Sequence, residues 1–259
     1  MTADAKLFKA LGIHWDRDAM RLDVPRHELK RVIWRFQKSM PQFVWEAAQF
    51  EGNPHTFPEV QTLLDGVTVG GSKLSDTQQI LGLRDGMRWL TGMVREGTFE
   101  PSRKVACILN GLIARDEALE WGVFRGEGKE LANVSVRLGA ATYLPKPTLP
   151  GGRNLIRSYA AGLAALRTFV ENPFERALAL KLFMCREQFF FDGNKRTARA
   201  MMNGELMRHG YDGLSIPVAR KLDYNGAMAE FNPAGDAAAM MLLLAKCHPE
   251  AGPLLASAD

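Results

Sequence analysis

Apolar residues recur at helical spacing along most of this chain. Leu29, Val32, Ile33 and Phe36, followed by Met40, Phe43 and Val44, mark one face of a helix over residues 26–50. Pro41 lies inside that pattern and predicts a kink or a division. Glu51-Gly52-Asn53-Pro54 is a stop signal. Phe57 to Leu64 reads as a further helix, and Gly66 to Gly71 as a loop or β-like segment. Ser75-Asp76-Thr77-Gln78 matches a capping box and predicts a helix running to about Val94. Val105, Ile108, Leu109, Leu112 and Ile113 predict another over 103–120.

The pattern changes at residues 122–152, which are rich in Gly and Pro. Val134, Val136 and Leu138 alternate with polar positions there, and Gly139-Ala140 can turn the chain back into Thr142-Tyr143-Leu144. This predicts a β-hairpin over 133–144. Helical spacing returns from residue 153. Asn172-Pro173-Phe174-Glu175 reads as a helix start, with Phe174, Leu178, Leu182 and Cys185 on one face. A helix from Lys195 to His209 should close at Gly210, and 234–246 should form the last helix. Residues 1–25 show little periodicity and read as an arm. The expected fold is mainly α, a single globular unit with one small hairpin. Within it, residues 1–50 form an arm and helix packed on the core, and 51–259 form the main helical domain.

Composition changes this picture little. The 259 residues are 46% hydrophobic and 24% charged, as in ordinary soluble proteins. A net charge of +4 is mild over this length, so a nucleic-acid partner is not expected. No apolar run approaches the ~18 residues of a membrane span, so no membrane partner is expected. Residues 1–25 carry Asp4, Asp16, Asp18 and Asp23 and lack an apolar core segment, so no signal peptide is expected. Cys107, Cys185 and Cys247 lack metal-ligand spacing and fit a reducing, cytoplasmic compartment.

The chemistry is concentrated in residues 188–199. Here Gln188-Phe189-Phe190-Phe191-Asp192-Gly193 leads into a helix that opens with Asn194, Lys195, Arg196 and, one turn on, Arg199. A helix start offers free N–H groups and a partial positive charge. Cations there oppose the dipole and need another reason to be present. An anion, most readily a phosphate, supplies one. Asp192 stands where a carboxylate can hold a divalent cation against phosphates. The plain alternative is an Asp-Gly turn before a solvated basic helix. Phe189-Phe190-Phe191 reads first as core packing beneath the loop, with an aromatic surface for adenine or a partner protein as the rival.

The same stretch resembles the signature loop of the Fic (Doc/Fido) family, His-Pro-Phe-x-Asp-Gly-Asn-Gly/Lys-Arg-x-x-Arg. It matches at Phe190, Asp192, Gly193, Asn194, Lys195, Arg196 and Arg199, and departs at Gln188 and Phe189. Gly122-Val123-Phe124-Arg125 resembles the Gly-x-x-Arg that precedes the family's flap hairpin. Glu51-Gly52-Asn53 resembles an inhibitory motif of the family, with Ala47 at its Ser/Thr position. The resemblance implies a Fic-type helical domain that binds ATP and Mg²⁺ and transfers AMP to a hydroxyl of a target protein.

Residue by residue, the resemblance makes Asp192 the metal-binding acid and Gly193, Asn194 and Lys195 the anion hole. Arg196 becomes the phosphate-cradle Arg. Arg199 becomes the γ-phosphate Arg, or the partner of an inhibitory Glu51. Val134, Val136 and Leu138 become part of a flap that docks the target by strand addition. Lys195 in place of Gly is similar to a Doc-type subset with phosphotransferase chemistry. A homodimer is left open.

Gln188 holds the place of the family's general base. Gln does not titrate and takes up no proton. No His lies between residues 56 and 208 to replace it. Glu187 is adjacent, but as the last residue of a helix it is expected to face solvent. Three readings follow: a nucleotide-binding protein with catalysis lost or impaired, an active nucleotidyl- or phosphotransferase with a substitute base, and a non-catalytic regulatory or interaction protein.

Overall fold

The computed structural model describes residues 2–138 and 141–256. In chain order the helices are α1 (Ala3–Leu11), α2 (Leu29–Lys38), α3 (Met40–Phe50), α4 (Phe57–Leu64), α5 (Leu74–Arg95) and α6 (Arg103–Ile113). The strands β1 (Val136–Leu138) and β2 (Ala141–Tyr143) come next. After them come α7 (Arg153–Phe169), α8 (Pro173–Glu187), α9 (Asn194–Arg208), α10 (Lys221–Ala234), α11 (Ala238–Lys246) and α12 (Ala251–Ala256). The mainly α architecture with one small hairpin is as the sequence predicts.

α8 is the centre of the fold. Only Arg176 and Arg186 of its residues escape burial. A helix buried nearly all round must be wrapped by others, and α7, α9 and α11 pack around it. Its buried polar groups are paired. Lys181 Nζ donates to Tyr224 Oη at 2.8 Å, and Glu175 accepts from Trp15 Nε1 at 2.9 Å and Arg17 Nε at 2.8 Å. α9 lies against α8 along its length, so the loop joining them is held from both sides.

The predicted long N-terminal helix is two helices, α2 and α3, divided at Ser39 with Pro41 in the first turn of the second. α3 ends at Phe50, with Glu51 as its cap and Gly52 left-handed at φ 82°. The arm differs from expectation. Residues 3–11 form α1, capped by the Thr2 hydroxyl and by left-handed Gly12. Its two buried residues, Leu7 and Leu11, are too few to show a period in the sequence, yet they pack α1 against α7.

Three further boundaries differ. The capping box at Ser75 does not form, because α5 starts at Leu74 and Ser75 is already inside it. The box forms instead at α4, where Glu59 accepts from the Thr56 N–H at 2.7 Å. α6 stops at Ile113 rather than near 120, since Ala114 leaves helical geometry and Asp116 is left-handed at φ 62°. α10 is unforeseen, and α12 follows the helix expected to be last.

The hairpin pairs Val136 with Tyr143 and Arg137 with Thr142 in antiparallel register. Val134 lies just before β1 rather than in it. The predicted turn Gly139-Ala140 lies outside the described residues. No helix among the described residues is long and apolar enough to cross a membrane.

Candidate functional site

α8 ends at Glu187 because Gln188 turns left-handed at φ 50°. The chain then crosses to Gly193, the N-cap of α9, at φ 71°. A Cβ on Gly193 would sit 2.4 Å from Ala114 Cβ. Both the backbone angle and the close approach therefore require glycine. Gly193→Ala is expected to cost about 1–3 kcal/mol and to displace the loop, which thermal denaturation and nucleotide titration would show.

The loop is rigidly built. Phe189 and Phe190 are buried and pack against Phe124 at ring separations of 4.9 and 5.2 Å. This is the core-packing role expected of them. The Asn194 side chain clips the loop to itself, accepting from the Phe190 N–H at 2.9 Å and donating to the Phe190 carbonyl at 2.7 Å. Asn110 of α6 donates to the Asp192 carbonyl at 2.9 Å and accepts from the Gly122 N–H at 2.9 Å.

Arg125 is fully buried and staples the start of the loop. Its guanidinium donates to the Gln188 carbonyl at 2.6 Å, the Thr148 hydroxyl at 2.6 Å and the Lys146 carbonyl at 3.0 Å. Its own N–H donates to the Phe189 carbonyl at 2.9 Å. The Lys146 carbonyl lies just past the hairpin, so Arg125 ties the hairpin's base to the signature loop.

At the helix start, the backbone N–H groups of Asn194, Lys195 and Arg196 have no carbonyl partner among the described residues, as first-turn geometry requires. The cations around them are engaged unequally. Arg196, with its side chain only 2% exposed, pairs with Glu117 through both terminal nitrogens, one at 2.6 Å. Burial works against its charge. Glu117, with Glu51 and Asp192, outweighs burial and raises its pKa above the usual value.

Arg199 lies over the Phe50 ring at 4.4 Å and near the Tyr224 ring at 5.6 Å. Its Nε and Nη2 are buried with no hydrogen-bond partner among the described residues. An orphaned, nearly buried guanidinium is an expensive arrangement in a folded protein.

The Glu51–Arg199 contact expected from the sequence is not formed. Glu51 instead approaches Lys195 Nζ at 3.6 Å. The reason is positional: Phe50, one residue earlier on α3, already covers the face of Arg199. Glu117 was not foreseen, and it is the carboxylate that holds a cradle arginine.

Asp192 is about half exposed. Its Oδ1 accepts from the Gly193 N–H at 2.5 Å and lies 3.5 Å from Arg196. Crowding by the surrounding protein raises its pKa, assisted by Glu117 and Glu51 and opposed by the Gly193 N–H and Arg196. Its Oδ2 has no hydrogen-bond or ion-pair partner among the described residues.

The Gln188 carboxamide folds back and donates to the Cys185 carbonyl at 2.5 Å. Glu187 is not in solvent as expected. It is buried, accepts from Ser158 Oγ at 2.9 Å and pairs with Lys146 Nζ at 2.8 Å. It packs inward because α8 has almost no solvent face even at its last turn.

The Fic/DOC family model matches residues 115–206, a span that includes Glu117, Arg125, the hairpin and the whole signature loop. The match covers about a third of the chain and places a Fic/DOC segment on the residues that build the site. It is 25% identical over 225 residues to the protein adenylyltransferase Fic of Culex quinquefasciatus, covering 85% of this chain and 43% of that protein. The protein of the same name from Aedes aegypti is 24% identical over 237 residues, with 88% and 45% covered. The chain thus spans under half the length of the curated relatives it matches.

Among solved structures, a Fic family protein from Desulfovibrio desulfuricans G20 superposes with a TM-score of 0.68 at 16% identity, covering 100% of this chain and 75% of that one. Fic-1 from C. elegans gives 0.67 at 19% identity, with 99% and 74% covered. The fold is therefore the Fic fold throughout.

Proposed function

We propose that this protein binds the phosphates of a nucleotide, ATP in the first instance, at the start of α9, and that transfer of AMP to a protein hydroxyl is lost or strongly impaired. The observation that carries the binding half is Arg199. Its two buried unpartnered nitrogens stand one turn into a helix whose first N–H groups are also free. Phosphate oxygens satisfy both sets at once. The unpartnered Oδ2 of Asp192 suits a divalent cation such as Mg²⁺, which when bound neutralises charge between phosphates.

The impairment half rests on Gln188. It cannot accept the hydroxyl proton, and its carboxamide is spent on the Cys185 carbonyl. Glu187 does not replace it, because Ser158 and Lys146 hold its carboxylate away from the loop. The exposed edges of the hairpin are the place for an extended target segment to add as a strand.

Calorimetry with ATP and Mg²⁺ tests the binding half. Wild type is expected to bind, and Arg199→Ala to weaken binding by about tenfold or more, the loss of one charge-assisted contact of about 1.5–3 kcal/mol. Equal affinity in both proteins would reject the assignment.

A further inference from the structure

A second charged feature lies beside the signature loop, in a groove between α1 and α7. Lys6 and Lys9 stand on its α1 rim, Arg157 on its α7 rim, and Lys146 at its end, around a shallow, open depression of about 550 Å³. Lys6, Lys9 and Arg157 are exposed, and none of the three makes an ion pair among the described residues. Lys146 alone is neutralised, by Glu187. The one carboxylate of α1, Asp4, is taken by Arg17 at 2.8 Å. The fold thus sets like charges on facing rims and offers them no internal counter-charge. Like charges gathered on one open surface repel one another, and a bound anion relieves that repulsion.

We propose that this groove docks an acidic polypeptide segment, one belonging to the protein whose hydroxyl is brought to the signature loop. Two observations favour a polypeptide over other polyanions. First, the groove adjoins the site: Lys146 at its end pairs with Glu187, the residue before Gln188, and follows β2 closely. Second, the hairpin whose second strand ends shortly before Lys146 is a two-stranded sheet, a surface that takes an extended chain by main-chain hydrogen bonds. A net charge of only +4 and a groove bounded by four cations fall short of the long basic stripe that a duplex demands. That the segment belongs to a target protein rests on the reading of function above. The preference of the groove for acidic peptide does not.

The test is fluorescence anisotropy of the full chain with a short labelled Glu/Ser peptide. Wild type is expected to bind it, with affinity falling steeply as salt rises. The triple charge reversal Lys6→Glu, Lys9→Glu, Arg157→Glu is expected to weaken binding at least about tenfold. A matching Lys/Ser peptide should then bind the variant and not the wild type, which misfolding would not produce. The groove assignment is overturned by no binding to wild type, by equal binding to the variant, or by tighter binding of single-stranded DNA or phosphatidylserine vesicles than of the peptide.

ATP affinity, measured on the same two proteins, separates this inference from the first. Peptide binding without ATP binding supports the groove and rejects the nucleotide site. ATP binding without peptide binding rejects the groove alone.

Discussion

Gln188→His combined with Glu117→Gln is expected to raise the transfer of AMP to hydroxyl-bearing proteins well above that of wild type. The gain should be about 10²–10⁴-fold over wild type, the range a positioned general base supplies. Position 188 is left-handed at φ 50°, a conformation that His enters more readily than most residues, so the exchange is backbone-compatible. An imidazole also brings a pKa near neutrality, where a base is half-poised to act.

The second change is needed because Glu117 already occupies both terminal nitrogens of Arg196. A glutamine there keeps a hydrogen-bonding group of the same shape while removing the charge that competes with phosphate. Glu51 is the weaker choice of second site, since it faces Lys195 at 3.6 Å and leaves Arg199 alone. Labelled ATP with the single and double variants reads the outcome. Equal labelling by wild type and double variant would show that position 188 does not limit transfer.

Arg125→Ala should produce the largest loss of stability of any substitution near the site, about 3–5 kcal/mol. The side chain is fully buried and satisfies the Gln188 and Lys146 carbonyls and the Thr148 hydroxyl. Truncation leaves those groups unpaired in a dry cavity, and each such group costs about 1–3 kcal/mol. For a chain of this size the melting temperature should fall by about 10 °C. The loss should reach function as well, because the same bonds fix the turn at Gln188 and anchor the residues after the hairpin. Denaturation and ATP titration of the variant check both parts. A melting temperature within a degree or two of wild type would refute the staple.

What was legible in the sequence follows from how local each feature is. The signature loop was readable because its chemistry sits in twelve consecutive residues, from Gln188 to Arg199. The division of α2 from α3 was readable because Pro41 announces it. The contacts that decide how the cradle is engaged are long-range, and nothing local encodes them. Glu117 meets Arg196 across 79 positions, and Asn110 meets Asp192 across 82. Asn110 left one trace, as a polar residue beside Leu109 and Ile113 in an otherwise apolar stripe. Glu117 left none, lying in an irregular charged segment.

The helices missed are those whose apolar signal is thin. α1 buries only Leu7 and Leu11, and α10 carries Gly226 and Pro233 inside it. Glu187 was misplaced by treating a helix end as a solvent-facing position. That rule fails where the helix is the centre of the fold.

The role of Gln188 is tested most directly by incubating the unmodified protein with ATP labelled at the α-phosphate, together with Mg²⁺ and a cell lysate. Wild type should label no protein above the level given by Asp192→Ala, while still binding ATP. Strong labelling by wild type that disappears in Asp192→Ala would mean that the site transfers AMP without a histidine, and would contradict the loss of catalysis assigned to Gln188.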